Sequence, residues 1–186
     1  MEENKKTETK DGGAVSEAFF WAQALAMSLV ILVIINIFFF RMSGVSGTSM
    51  VPTLDEKDRV LLRVIGYNEP ERGDVVVVTA PLFEKGPLVK RIIGVGGDVI
   101  DIDRNTGAVY INGEEQYEPY ISELIRNRGD MSYPVTVPEG FVFFMGDNRN
   151  GSTDSRDSQI GMQPVSNVIG KVFFRVWPIK DIGAVK

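Results

Sequence analysis

Ala18 to Phe40 reads AFFWAQALAMSLVILVIINIFFF, 23 residues without a single charge. Coiled as an α-helix at about 1.5 Å per residue, this stretch spans roughly 35 Å, enough to cross the hydrocarbon core of a bilayer with some tilt. A cleavable leader carries an apolar run of only about 7 to 15 residues, closed by small side chains. Here the run is longer and closes on Phe38-Phe39-Phe40-Arg41, so the sequence predicts an uncleaved anchor over 18–40. Phe19, Phe20 and Trp21 would then stand at one membrane interface and the Phe triplet at the other.

On the N-terminal side of this anchor, MEENKKTETKDGGAVSE (1–17) is polar, charged and without apolar period, the composition of a mobile tail. The tail holds three Lys and five acids, while Arg41, Lys57, Arg59 and Arg63 follow the anchor. A positive-inside count therefore leaves the orientation undecided. On the C-terminal side the pattern changes to short β-branched runs broken by turn residues, at 59–65, 74–80, 88–94, 108–111, 141–145 and 171–177. Asn105-Thr106-Gly107 and Asn112-Gly113 mark the turns of a hairpin or meander between about 98 and 120. Tyr120 to Arg126 is the one segment with a weak helical period. The expected fold class is mostly β: a single transmembrane helix, then a β-rich domain over 41–186 that carries a small inserted β portion at about 99–137.

Composition narrows the chemistry. The chain has 186 residues and 20.6 kDa, with 20 Lys and Arg against 25 Asp and Glu. A net charge of -5 offers no basic field to a polyanion, so nucleic acid is not an expected partner. There is no His and no Cys, which excludes disulfides, Cys/His zinc sites, thiol nucleophiles and Ser-His-Asp triads. A hydrolase made from this sequence must draw its base from Lys, Asp, Glu or Tyr.

Three segments carry polar chemistry beside apolar strands. Ser46-Gly47-Thr48-Ser49-Met50-Val51-Pro52-Thr53-Leu54 follows the anchor and, taken alone, is a juxtamembrane loop. Leu88-Val89-Lys90-Arg91-Ile92-Ile93-Gly94 is strand-like; neighbours in a strand point to opposite faces, so one of Lys90 and Arg91 must face inward or sit at an edge. Gly146-Asp147-Asn148-Arg149-Asn150-Gly151-Ser152-Thr153-Asp154-Ser155-Arg156 alone is a polar loop with a surface ion pair.

Together they resemble the type I signal peptidases, membrane-anchored Ser/Lys proteases that remove signal peptides from exported proteins. The resemblance rests on GTSMVPTL at 47–54, RGDVVVV at 72–78, KRIIGVGGD at 90–98 and GDNRNGSTDSR at 146–156, in the family's order, and covers the anchor and nearly all of 41–182. It implies that Ser49 is the nucleophile, Lys90 its general base, and Ser152 the hydroxyl that hydrogen-bonds and orients the Lys. It further implies that Asp154 and Arg156 brace the loop as an ion pair, with Asp147 and Arg149 in support. The implied partners are signal peptides of secretory preproteins and the lipid bilayer, with the tail cytoplasmic and the domain extracytoplasmic; no cofactor or metal is called for, and the sequence sets no oligomeric state. Gly47 stands where some members have a Ser that helps hold the oxyanion, and Gly96 where members often have Pro.

The residues agree with that chemistry. A Ser hydroxyl needs a base, and in a chain without His a neutral amine can serve if burial disfavours its ammonium form. Leu88, Val89, Ile92 and Ile93 supply apolar surface around Lys90. Ser49 lies nine residues beyond Phe40, within about 30 Å of the anchor's end even when fully extended, where a membrane-held signal peptide presents its small-residue cleavage site. Met50, Leu54, Leu88 and Val89 are the candidates for pocket and membrane-facing lining. Two other readings remain: a Ser/Lys protease of narrower role, such as pilus or conjugation protein processing, and a non-catalytic membrane-anchored β module.

Overall fold

A computed structural model describes residues 11–81 and 86–185. Among these residues one helix, α1 (Asp11–Phe39), is followed by twelve strands, all paired antiparallel: β1 (Phe40–Gly44), β2 (Arg59–Arg63), β3 (Val75–Val78), β4 (Leu88–Val95), β5 (Val99–Ile102), β6 (Val109–Ile111), β7 (Glu114–Glu115), β8 (Val135–Thr136), β9 (Phe141–Met145), β10 (Gln163–Pro164), β11 (Val168–Trp177) and β12 (Gly183–Ala184). Short 3₁₀ turns lie at Val165–Asn167 and Ile179–Asp181.

Within α1, Val15–Ile34 is long and apolar enough to cross a membrane, and Phe19, Trp21, Leu25 and Leu29 are exposed. The helix begins at Asp11, so residues 11–17, expected as tail, are helical; residues 1–10 of that expected tail lie outside the described residues.

From Phe40 onward the chain is one compact unit. The larger sheet runs β1-β2-β11-β3-β4-β9-β10, with β12 added to β11; the smaller runs β7-β6-β5-β8. β3 and β4 sit mid-sheet and are covered on both faces. Val75 and Val77 enter one apolar cluster with Val60, Leu62 and Val172, while Val76 and Val78 enter another with Ile92, Phe144 and Ile160. This two-sided burial explains the unbroken valine run, which a half-exposed strand would alternate. A third cluster joins the sheets through Ile93, Phe143 and Met145 from the larger and Ile100, Ile102, Val109 and Ile111 from the smaller. The flanking polar residues brace these strands: Arg72 pairs with Asp98, and Asp74 accepts hydrogen bonds from Tyr67 at 2.7 Å and Lys171 at 2.5 Å.

The β5–β6–β7 meander turns at the two Asn/Gly sites; Asp103 Oδ1 accepts the Asn105 and Thr106 N–H groups at 2.8 and 2.6 Å and closes the first of them. The expected helix at Tyr120–Arg126 does not form. Ile125 is drawn into the core, and Asn150 captures the Arg126 N–H and the Leu124 carbonyl, at 2.9 and 3.1 Å, that a helix would use internally.

Candidate active site

Ser49 stands on a tight turn, held by Val51 N–H to Thr48 O at 3.2 Å and Leu54 N–H to Met50 O at 2.9 Å. The turn is pinned from beneath by Met50 and Leu54, 1% and 0% exposed, which pack with Val45, Val60 and Val75. The apolar surface of these two side chains, expected as pocket or membrane-facing lining, is covered by this cluster. Leu88 and Val89 remain half-buried on β4.

Lys90 and Arg91 leave β4 on opposite faces, Lys90 opposite Val76 and Arg91 opposite Val75, and each is only 2% exposed. Lys90 Nζ donates to Ser49 Oγ at 2.6 Å. Burial, reinforced by the Arg156 charge, lowers the Lys90 pKa to about 8, outweighing the attraction of Asp154 and Asp147. Arg91 is fixed on the other face by a bidentate pair with Asp147, Nε–Oδ1 2.8 Å and Nη2–Oδ2 2.7 Å, and by the Gly73 carbonyl at 2.8 Å. Thr53 donates to Asp147 Oδ2 at 2.5 Å. With both oxygens engaged in this way, Asp147 is not poised to take a proton from Ser49.

The loop after β9 wraps the same end of the sheet. Asp154 forms a buried bidentate pair with Arg156, 2.7 and 2.8 Å, and accepts the Gly146 N–H at 2.9 Å. Arg149 donates to Gly146 O at 3.1 Å and to both oxygens of Glu118 at 2.6 Å. Gly146 has no room for a side chain: a Cβ there would collide with both Ser152 Oγ and Ser49 O. That close approach puts Ser152 beside the Ser49 backbone. Among the described residues the Ser152 hydroxyl is buried without a hydrogen-bond partner, so the expected orienting contact to Lys90 is not made here.

Sequence reasoning missed several residues here. Asn148 grips the nucleophile turn twice, backbone N–H to Ser49 O at 3.0 Å and side-chain amide to Thr48 O at 3.1 Å; its place in the GDN motif was the available signal. Glu118 and Tyr120, the latter's ring 4.0 Å from the Arg91 guanidinium, lie in no motif and gave none. Gly47 takes φ +81 with open space around it. Gly96 packs against the strand-connecting turn, 2.9 Å from its would-be Cβ to Glu139 Cα, so a proline in its place would not fit without movement.

Comparison with known proteins gives a consistent result. Residues 18–177 match the family model described as signal peptidase, peptidase S26. Signal peptidase I of Bacillus licheniformis is 36% identical over 95% of this chain and 97% of that protein. Signal peptidase IB of Staphylococcus aureus (strain Mu50 / ATCC 700699) is 34% identical over 89% and 92%. A crystal structure of a signal peptidase I from Enterococcus faecalis V583 is 29% identical, with a TM-score of 0.45 over 55% of this chain and 96% of that one.

Proposed function

This chain belongs to the signal peptidase S26 family, and from that premise we propose that it is a membrane-anchored serine endopeptidase that cuts signal peptides from secretory preproteins through a Ser49–Lys90 dyad. The observation that carries the reading is the 2.6 Å contact between Ser49 Oγ and the amine of a lysine whose pKa burial lowers to about 8.

Protons and bonds balance on these two side chains. Neutral Lys90 accepts the Ser49 hydroxyl proton as Oγ attacks the scissile carbonyl carbon. The resulting oxyanion is held by the Ser49 N–H, which has no partner among the described residues. Collapse breaks the C–N bond; Lys90 returns its proton to the leaving amine, leaving an acyl ester on Ser49. Water, deprotonated by Lys90, then attacks the ester carbon; the second tetrahedral intermediate collapses with cleavage of the C–Oγ bond, Lys90 returns the proton to Ser49 Oγ, and the signal peptide leaves with a free carboxylate. No step calls for a metal or cofactor. Ser152 is assigned the orienting role for the neutral amine, supported by its unpartnered buried hydroxyl beside Ser49, since a buried O–H left unmade is costly. Asp147, Arg149, Asp154 and Arg156 hold the loop, and Leu88 and Val89 are assigned to substrate contact.

α1 serves as a single-pass anchor, with the tail cytoplasmic and the domain extracytoplasmic, because signal peptides are cut after they cross. The test uses the full chain in detergent with a secretory precursor. Ser49→Ala and Lys90→Arg are expected to fold and to leave the precursor uncut, since an arginine cannot give up its proton in the accessible range. Normal cleavage by Lys90→Arg with an unchanged pH profile would dispose of the dyad.

A further inference from the structure

We propose that Glu118 and Tyr120, on the connection between β7 and β8, are positioning residues for the Ser49–Lys90 pair, acting through Arg149 and Arg91. The inference rests on the dyad reading above and extends the machinery to a segment outside every sequence motif.

The link from the smaller sheet to the nucleophile is short and buried. Glu118 receives Arg149 Nη1 and Nη2, both at 2.6 Å, and the two side chains are 6% and 0% exposed. The remaining nitrogen, Arg149 Nε, donates to Gly146 O at 3.1 Å. Gly146 abuts the Ser49 carbonyl, and Asn148 N–H donates to that carbonyl at 3.0 Å. Glu118 therefore holds the guanidinium that holds the turn that holds Ser49. Tyr120 ties the other branch: its hydroxyl donates to Glu118 Oε1 at 2.9 Å, and its ring lies 4.0 Å from the Arg91 guanidinium and 5.9 Å from that of Arg149. Arg91 in turn fixes Asp147 and is the chain neighbour of Lys90. The turn that presents Ser49 and the strand that presents Lys90 are thus both tied to one three-residue stretch.

A buried guanidinium that loses its carboxylate must move or admit water, and displacement of a reacting group by about 1 Å can cost roughly 100-fold in rate. Glu118→Gln and Tyr120→Leu are accordingly expected to lower kcat roughly 10- to 100-fold with KM little changed. The acid limb of the pH profile should stay in place, because neither residue is among the charges that shift Lys90.

The test measures kcat, KM and melting temperature of the full chain in detergent on a secretory precursor, well below the melting point and normalised to folded protein. A Glu118→Met/Arg149→Met double variant covers the case in which Glu118→Gln fails to fold. It removes the buried charge altogether, so its melting temperature should recover while its kcat does not, the Gly146 contact being lost as well. Wild-type kcat in folded Glu118→Gln, or in the double variant once its melting temperature has recovered, overturns the positioning role. Ser49→Ala runs alongside: if it is inactive while the Glu118 variants are normal, the positioning claim alone falls, and if it cuts the precursor both claims fall.

Discussion

A lysine that is 2% exposed must shed its proton or find a counter-charge, and Lys90 leans toward the first. Its folded pKa of about 8 lies below the ordinary lysine value of 10.5. Folding therefore carries the full cost of burying an ammonium below pH 8. Between pH 8 and 10.5 the unfolded chain still binds the proton and the folded chain does not, so stability rises with pH across that window. The gap corresponds to about 3 kcal/mol. Lys90→Met is therefore expected to raise the unfolding free energy at pH 7 by roughly 2–3 kcal/mol, with the advantage over the parent shrinking as pH climbs to about 10. Denaturant titrations at several pH values, followed by tryptophan fluorescence, would measure it; a constant difference would mean that Lys90 is not the titrating group. In the proposed mechanism the same amine sets activity: kcat/KM should rise with pH to a plateau above an acid limb near 8, and a flat profile from about pH 6 to 9 would remove Lys90 as the base.

The elements around the dyad divide into those the sequence disclosed and those it could not. Strong β-branched runs such as Val75–Val78 and Leu88–Val95 declare themselves by composition, and the Asn/Gly turns declare the meander. The two-residue strands β7, β8, β10 and β12 are too short to carry any period, and β1 lies where the apolar run ends, so its pairing with β2 has no local signature. Tyr120–Arg126 shows a local helical tendency overruled by tertiary ties to Asn150 and the core. In the site, Ser49 and Lys90 were singled out by the motifs at 47–54 and 90–98 that carry the family resemblance, and their side chains lie 2.6 Å apart, whereas burial of Met50 and Leu54 depends on which way a turn faces. The loop after β9 gives the element-scale expectations. Gly146→Ala would force a methyl into Ser49 O and Ser152 Oγ, so the folded variant should lose at least about tenfold in kcat, roughly the cost of a small displacement at the reacting groups. Asp154→Ala strands the Arg156 guanidinium and the Gly146 N–H; breaking such a buried pair costs about 3–5 kcal/mol. Its activity loss should therefore track the unfolded fraction in a thermal melt, and full activity at an unchanged melting temperature would show that the pair braces nothing.

At the scale of the whole molecule, the proposed activity depends on which side of a membrane each part occupies, and here composition supplies a clean experiment. The tail's three Lys and five acids leave the charge rule undecided, so orientation follows only from the proposed chemistry: a signal peptide is cut after its passenger has crossed. The helix stretch Val15–Ile34 is predominantly apolar, with Phe19 and Trp21 73% and 69% exposed, a surface that lipid would cover and water would not. The chain contains no Cys, so a single introduced thiol reports its own location without background. Thr7→Cys marks the tail, and Tyr117→Cys marks the domain at a side chain that is 88% exposed. In intact cells a membrane-impermeant maleimide is expected to label Tyr117→Cys and to reach Thr7→Cys only after lysis. Both variants should keep precursor cleavage at the parental level before labelling, because Thr7 lies far along the chain from the dyad and the Tyr117 side chain points to solvent. Labelling of Thr7→Cys in intact cells with protection of Tyr117→Cys would place the dyad on the side where preproteins have not yet crossed, and the proposed substrate would have to be abandoned.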